Sequence, residues 1–187
     1  MRIIRSTDYQ RMPWKNGGGE TTEIAVSPAG ADFAAMDWRL SMATVAADGP
    51  FSAFPGIDRT LSVLSGALRL EIGGAKVDLM EMSPPYAFPG EAGVHGVVLR
   101  GPVTDLNVMT RREAWTHDVR RVSVSGEKTV ATAAGTLLLF CHGGAVTLPD
   151  GATLHACDTA VTESAGGAMA FRAETLSTLY VIGVTRR

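Results

Sequence analysis

The chain has 187 residues, 45% of them hydrophobic and 19% charged, with a formal net charge of −2 and an isoelectric point near 6.1. That length and apolar content suit one domain, or two small halves fused into one body, and argue against a disordered chain. The slightly acidic balance lacks the basic footprint of a nucleic-acid or anionic-membrane binder, and the pairs Arg111-Arg112 and Arg186-Arg187 are too short to restore it. The opening M-R-I-I-R-S-T-D-Y-Q lacks the apolar core of a signal peptide. The longest mid-chain apolar run, Leu137 to Cys141, is far too short to span a bilayer. A cytoplasmic protein with no nucleic-acid or membrane partner is expected. Cys141 and Cys157 sit in apolar contexts where free thiols are ordinary.

In chain order, the first distinctive stretch is P-W-K-N-G-G-G-E-T-T-E-I, Pro13 to Ile24. Gly17, Gly18 and Gly19 permit backbone conformations closed to other residues and let a ligand approach the main chain. Successive N–H groups in such a turn can form an anion-binding nest. Lys15 adds a point charge, Asn16 a donor and an acceptor, and Trp14 an apolar wall with one N–H. A glycine-rich turn beside a core tryptophan would account for W-x-x-G-G alone. With Lys and Asn wedged between, half of a small-molecule pocket stands beside it as a reading. Alternation then sets Thr22, Ile24 and Val26 on one face of a strand and Glu23 and Ala25 on the other.

Short alternating runs punctuated by Gly, Pro and Asp recur from here on, the signature of an all-β sandwich or barrel. Trp38, Leu40 and Met42 alternate with Arg39, Ser41 and Ala43. Gly49-Pro50 opens the loop F-S-A-F-P-G-I-D-R, ending at Arg59. Leu61 to Leu64 makes a run that turns at Ser65-Gly66 and resumes with Leu68, Leu70 and Ile72. Gly73-Gly74 reads as a tight hairpin turn into Val77 and Leu79. The three prolines of S-P-P-Y-A-F-P-G, Ser83 to Gly90, exclude a central strand. From Val97 to Arg112 a strand carries Val103, Asp105, Asn107 and Met109 on one face.

From His117 the chain repeats this plan. S-G-A-L-R-L-E-I-G-G from Ser65 resembles A-G-T-L-L-L-F-C-H-G-G from Ala134, and L-N-V-M-T-R-R from Leu106 resembles L-Y-V-I-G-V-T-R-R from Leu179. Offsets of about seventy residues in both cases suit a duplicated β-barrel unit. The awkward polar residues concentrate in the first unit, so function is expected there.

Asp105 and Asn107, if inward, are buried polar groups that need partners, and Lys15, Arg39 and Arg59 are the available cations. An internal ion pair of Asp105 with Arg39 or Arg59 would satisfy any one of them. Three cations, a nest and an asparagine together point instead to a pocket for an acidic or amide-bearing small molecule. His95, His117, His142 and His155 are scattered, with no H-x-H, C-x-x-C or H-x-x-x-H spacing, and adjacent Cys141 and His142 would face opposite sides of a strand. A metal is therefore disfavoured. No G-x-S-x-G elbow is present.

Taken together, P-W-K-N-G-G-G-E-T-T-E-I, F-S-A-F-P-G-I-D-R, the V-L-S-G turn and G-P-V-T-D-L-N-V-M-T-R-R resemble the HutD/Ves family of cupin-like proteins, in order over about the first 112 residues. The resemblance implies a bicupin, two small RmlC-like jelly-roll β-barrels packed together, with a pocket-bearing barrel in 1–116 and a degenerate one in 117–187. In ordinary cupins an H-x-H with a later His and Glu holds a metal. Here F-S-A-F-P-G-I-D-R looks like it occupies that position without the ligands, which implies no metal and no cofactor. The family is associated with histidine utilisation, and Ves-like members loosely with stress responses. This implies sensing or buffering of a pathway acid such as N-formylglutamate. The family motifs fall on Trp14, Lys15, Asn16, Gly17, Gly18, Gly19 and Glu23, on Phe54, Pro55, Gly56 and Arg59, and on Asp105, Asn107 and Met109.

The expected partner is thus a small acidic metabolite, with a homodimer also open. Lys15, Arg39 and Arg59 would meet carboxylates, Asn16 and Asn107 amide or formyl groups, and Trp14 and Phe54 would wall the pocket. A rival reading is a metal-independent isomerase or hydrolase with Glu23 or Asp105 as general base. A third is an interaction module whose polar interior only closes internal ion pairs.

Overall fold

The computed structural model describes residues 1–14 and 19–187. In chain order its strands are β1 (Arg2–Ile4), β2 (Gln10–Pro13), β3 (Gly19–Ser27), β4 (Trp38–Val45), β5 (Gly49–Pro50), β6 (Ile57–Ile72), β7 (Ala75–Met80), β8 (Tyr86–Pro89), β9 (Val94–Arg111), β10 (Trp115–Gly143), β11 (Val146–Thr147), β12 (Thr153–Leu154) and β13 (Thr159–Arg186). A 3-10 turn, Ser6–Asp8, follows β1. No helix among the described residues is long and apolar enough to cross a membrane.

Two compact units divide the chain, Gln10–Trp115 and a second that joins Met1–Tyr9 to Thr116–Arg187. The first nine residues thus belong with the C-terminal half, and the reason is local. Strand β1 pairs antiparallel with β13, Arg2 opposite Val161 and Ile4 opposite Thr159. Asp158 then accepts hydrogen bonds from Arg5 Nη1 at 2.7 Å and from the Ser6 and His155 amides at 3.0 Å each. The Tyr9 hydroxyl donates to the Cys157 carbonyl at 2.5 Å and lies 2.8 Å from Thr159 Oγ1.

In this second unit the sheet runs β1-β13-β11-β12, with β10 also on β13. The alternation at Leu137, Leu139 and Cys141 turns these three onto a core with Val124, Phe171, Leu179 and Val181, each at most 1% exposed. Cys141 and Cys157 are free thiols.

The unit Gln10–Trp115 is a sheet in the order β2-β3-β4-β9-β6-β7, with β5 on β9 and β8 on β6. Its spine is the antiparallel β6–β9 pair, from Ile57 opposite Arg111 to Ile72 opposite Val94. Gly73 and Gly74, at φ 56° and 84°, close the β6–β7 hairpin. The proline-rich segment contributes only β8, which among the described residues pairs with β6 alone.

Two sequence expectations fail here for identifiable reasons. Strand β3 does not alternate through Val26, because a bulge falls between Glu23 and Ala25: Glu23 pairs with Ser41, Ala25 with Leu40 and Val26 with Arg39. The extra residue flips the phase, so Val26 leaves the face of Thr22 and packs against the Met36, Ile57 and Met109 cluster. Ser65-Gly66 is not a turn but an irregular bend inside β6. Gly66 sits at φ 85°, and a Cβ there would come within 2.5 Å of the Arg100 carbonyl, so the strand can cross β9 at that point only as glycine.

A candidate ligand pocket on the concave sheet

Antiparallel partners share a face. Asp105 lies opposite Ala43 on β4 and Val63 on β6, and Asn107 opposite Ser41 and Leu61. Residues of β2, β3, β4, β6 and β9 therefore converge, and the sheet curls round a cavity of about 560 Å³. Arg39, Ser41, Ala43 and Val45 line it from β4, Asp105, Asn107 and Met109 from β9, and Arg59 from β6. Met12, Pro13, Trp14 and Thr21 form one wall, Pro50 comes from β5, and Phe33, Phe51, Ser52 and Phe54 come from the connecting segments. The small side chains of Ser41 and Ala43, where a core would carry Leu or Val, leave the volume open.

Arg59 is 6% exposed. Its guanidinium carbon lies 5.1, 5.3 and 5.8 Å from the ring centroids of Phe88, Phe54 and Phe51. It donates from Nη2 to Asn107 Oδ1 at 2.9 Å and from Nη1 to the Ser52 carbonyl at 3.4 Å. Its buried Nε–H has no acceptor among the described residues. Burial pulls its pKa down to about 10, Asp105 acting against the fall and Arg39 adding to it, so it remains a cation at neutral pH.

The amide of Asn107 donates in turn to Asp105 Oδ1. Asp105 is 1% exposed, and burial drives its carboxyl up to about 7, against the Arg59 charge and the Asn107 hydrogen bond. A relay runs from Arg59 through Asn107 to Asp105, where the alternative reading of the sequence has a direct ion pair of Asp105 with Arg39 or Arg59. Arg39 bonds elsewhere, from Nε to Glu23 Oε2 at 2.8 Å and from Nη1 to Ser41 Oγ at 3.3 Å. Phe33 covers it, ring centroid 4.9 Å from the guanidinium carbon, and packs on Phe54 at 4.6 Å.

Of the residues singled out in the sequence, Trp14, Arg39, Phe54, Arg59, Asp105, Asn107 and Met109 line this cavity. Glu23 reaches it through Arg39. Gly19 serves packing, since a Cβ there would collide with the Thr44 carbonyl and press against the Trp14 ring. The Trp14 amide donates to the Gly19 carbonyl at 2.9 Å, and Trp14 Nε1 to Thr21 Oγ1 at 2.8 Å. Lys15, Asn16, Gly17 and Gly18, with the nest expected there, lie outside the described residues. Sequence reasoning passed over Ser41 and Thr21, which the alternation that found Arg39 and Glu23 could have supplied. Phe33 carries no local signal at all. Among the described residues no group of three or more His, Cys, Asp or Glu side chains is placed to hold a metal ion.

The family model for HutD matches residues 6–181. Protein Ves of Citrobacter koseri is 39% identical over 119 residues, which span 60% of this chain and 61% of Ves. A conserved protein of unknown function from Pseudomonas aeruginosa PAO1, PA5104, superposes with a TM-score of 0.89 at 34% identity, over 98% of this chain and 97% of that one. HutD from Pseudomonas fluorescens SBW25, solved in a formate condition, gives 0.86 at 29% identity over 100% and 98%. A cupin 2 conserved barrel domain protein from Leptotrichia buccalis, 12% identical with a TM-score of 0.60 over 100% and 96%, shares the fold alone. With residues 6–181 of its 187 matched by that model, the chain belongs to the HutD/Ves family of cupin-like proteins.

Proposed function

We propose that the cavity binds a small organic acid without a metal, and that the protein senses or buffers that acid rather than transforming it. The observation that carries this reading is Arg59: a desolvated cation between three aromatic rings, at a cavity wall, with one N–H unsatisfied among the described residues. Burying a guanidinium is costly unless its donors are used, and a carboxylate uses them in pairs. Asn107 suits an amide or formyl oxygen or N–H beside it, and the aromatic walls suit the carbon chain between. An acid of the N-formylglutamate type, an intermediate of histidine degradation, fits this chemistry, with Lys15 and Asn16 completing the site. In this reading the whole protein is a cytoplasmic bicupin, monomeric or a homodimer, with the pocket in one barrel and the other closed by its core.

The test is a thermal-shift screen against histidine, urocanate, formiminoglutamate, N-formylglutamate and glutamate, with and without chelator. A ligand at a hundred times its Kd adds about 2.7 kcal/mol to the folded state. A chelator-insensitive shift with one acid, weakened by about 1 kcal/mol or more in both Arg59→Ala and Lys15→Ala, is the expected result. Unchanged affinity in both variants refutes the assignment. A second reading is favoured by Asp105, whose carboxyl titrates near 7 in the same cavity and so could serve as the base of a metal-independent isomerase or hydrolase. Turnover that disappears in Asp105→Asn while the fold persists would select it.

A further inference from the structure

We infer that the pocket takes its acid together with a proton, Asp105 accepting that proton as the ligand carboxylate engages Arg59. The inference rests on the acid-binding reading above and concerns what the site must do with charge once the acid arrives.

The geometry sets the problem. Arg59 is tied to Asn107, and Asn107 to Asp105, so one cation and one carboxyl stand at the two ends of a two-bond relay. The elements packed round Asp105 bring few charges. Strand β6 brings Arg59, β4 brings Arg39, and β3 brings Glu23, which is already paired with Arg39 at 2.8 Å. On β9 itself the neighbour is the neutral Asn107, and the cavity residues of β2 and the aromatic loops carry no charge. Lys15 lies outside the described residues.

Among the described residues, then, Arg59 is the cation whose field favours the ionised form of Asp105, and it acts without touching it. A carboxylate that bonds the guanidinium takes up that field. Two negative charges would then share one buried cation between phenylalanine rings, where neither is solvated by water. Protonating Asp105 resolves the conflict within the existing hydrogen bonds. Asn107 keeps its bond to the carboxyl, and the new O–H can donate to the ligand. Burial already pushes the Asp105 carboxyl up toward its protonated form, so little has to change.

The consequence is a site whose affinity for an acid falls as pH rises. Ligand carboxylates finish titrating near pH 5, so any proton taken up between pH 5.5 and 8.5 comes onto the protein. The experiment is isothermal titration of N-formylglutamate into the protein at about pH 5.5, 7.0 and 8.5, each in two buffers of different ionisation enthalpy. The expected result is up to one proton bound per ligand, and a Kd that weakens by about tenfold per pH unit above the Asp105 midpoint. Asp105→Asn, which keeps an oxygen to accept from Asn107, should remove both the slope and the proton. A wild-type Kd that is flat over this range, with heats independent of buffer, overturns the inference and leaves acid binding intact. A slope that survives in Asp105→Asn assigns the proton elsewhere and also overturns it. Should Asp105→Asn not fold, the wild-type proton count decides alone. Absence of binding at every pH removes the acid-binding reading first, and this inference with it.

Discussion

The two units use strands of similar alternation to opposite ends. On β13 the inward positions are Phe171, Ala173, Leu179 and Val181, and they meet Leu137, Leu139 and Cys141 of β10 in a core from which water is excluded. On β9 the inward positions are Val103, Asp105, Asn107 and Met109, and the last three lie beside their β4 partners Ala43, Ser41 and Arg39 on one face that lines a cavity of about 560 Å³. A curled antiparallel sheet is neutral between these outcomes. Side-chain volume and charge on its concave face decide whether it becomes a packed interior or a site.

Giving each face the other's chemistry puts that difference at risk. Leu139→Ala opens a void in the packed unit and should cost about 2 to 5 kcal/mol, read as a drop in the midpoint of urea denaturation. The reverse change, Ala43→Leu, places a larger side chain in open space, so it should alter stability by less than about 1.5 kcal/mol. It should nevertheless weaken acid binding by more than about tenfold, or about 1.4 kcal/mol, in calorimetry. A loss of stability in Ala43→Leu comparable to that of Leu139→Ala would mean that the cavity is really core.

Electrostatics widens the contrast, because the two buried aspartates are held in opposite states. Burial pushes Asp158 up, but the Arg5 hydrogen bond and those from the Ser6 and His155 amides overcome it and hold its carboxyl below 3.8. Its contribution to stability is therefore present above that unfolded value and lost as pH falls through the lower folded one. Asp158→Ala leaves those donors unsatisfied, and should cost about 1 to 3 kcal/mol at neutral pH and progressively less in acid, by denaturation across about pH 2 to 7. Asp105 has the opposite sign. Its folded carboxyl keeps a proton up to about 7 that the unfolded chain loses near 3.8, so its contribution falls as pH rises between these values. Asp105→Asn should consequently raise stability at about pH 8, by up to about 4 kcal/mol at about 1.4 kcal/mol per unit of the shift, and change little below about pH 4. An Asp105→Asn variant less stable than wild type in mild alkali would show that the carboxylate is compensated, by Lys15 or another group, and would tie the two aspartates into one class.

Much of the pocket was legible because strand alternation is a local rule. Period alone puts Asp105 and Asn107 on one face of a strand and Arg39 with Ser41 and Ala43 on one face of another, leaving open which face is inward, and the G-G turn after Ile72 follows from its conformational demand. The same rule misassigned Val26, since a bulge adds a residue without leaving a mark in the run T-T-E-I-A-V. It also made Ser65-Gly66 a turn, because a glycine needed for a close strand crossing looks like one needed for a reversal. Phe33 could not be found at all: it reaches Arg39 and Phe54 from a loop with no periodicity.

An antiparallel all-β chain, a first half rich in inward polar residues, and membership in the family could all be read from the amino-acid order, because hydrophobic period, turn chemistry and short motifs are properties of neighbours along the chain. Folding in three dimensions was needed to show that Arg39 is held by Glu23 and that Asn107 stands between Arg59 and Asp105. It also sent the first nine residues to the distant Asp158. Those pairings join residues up to 153 positions apart. Their energies depend on distance and burial, which no spacing in the sequence records.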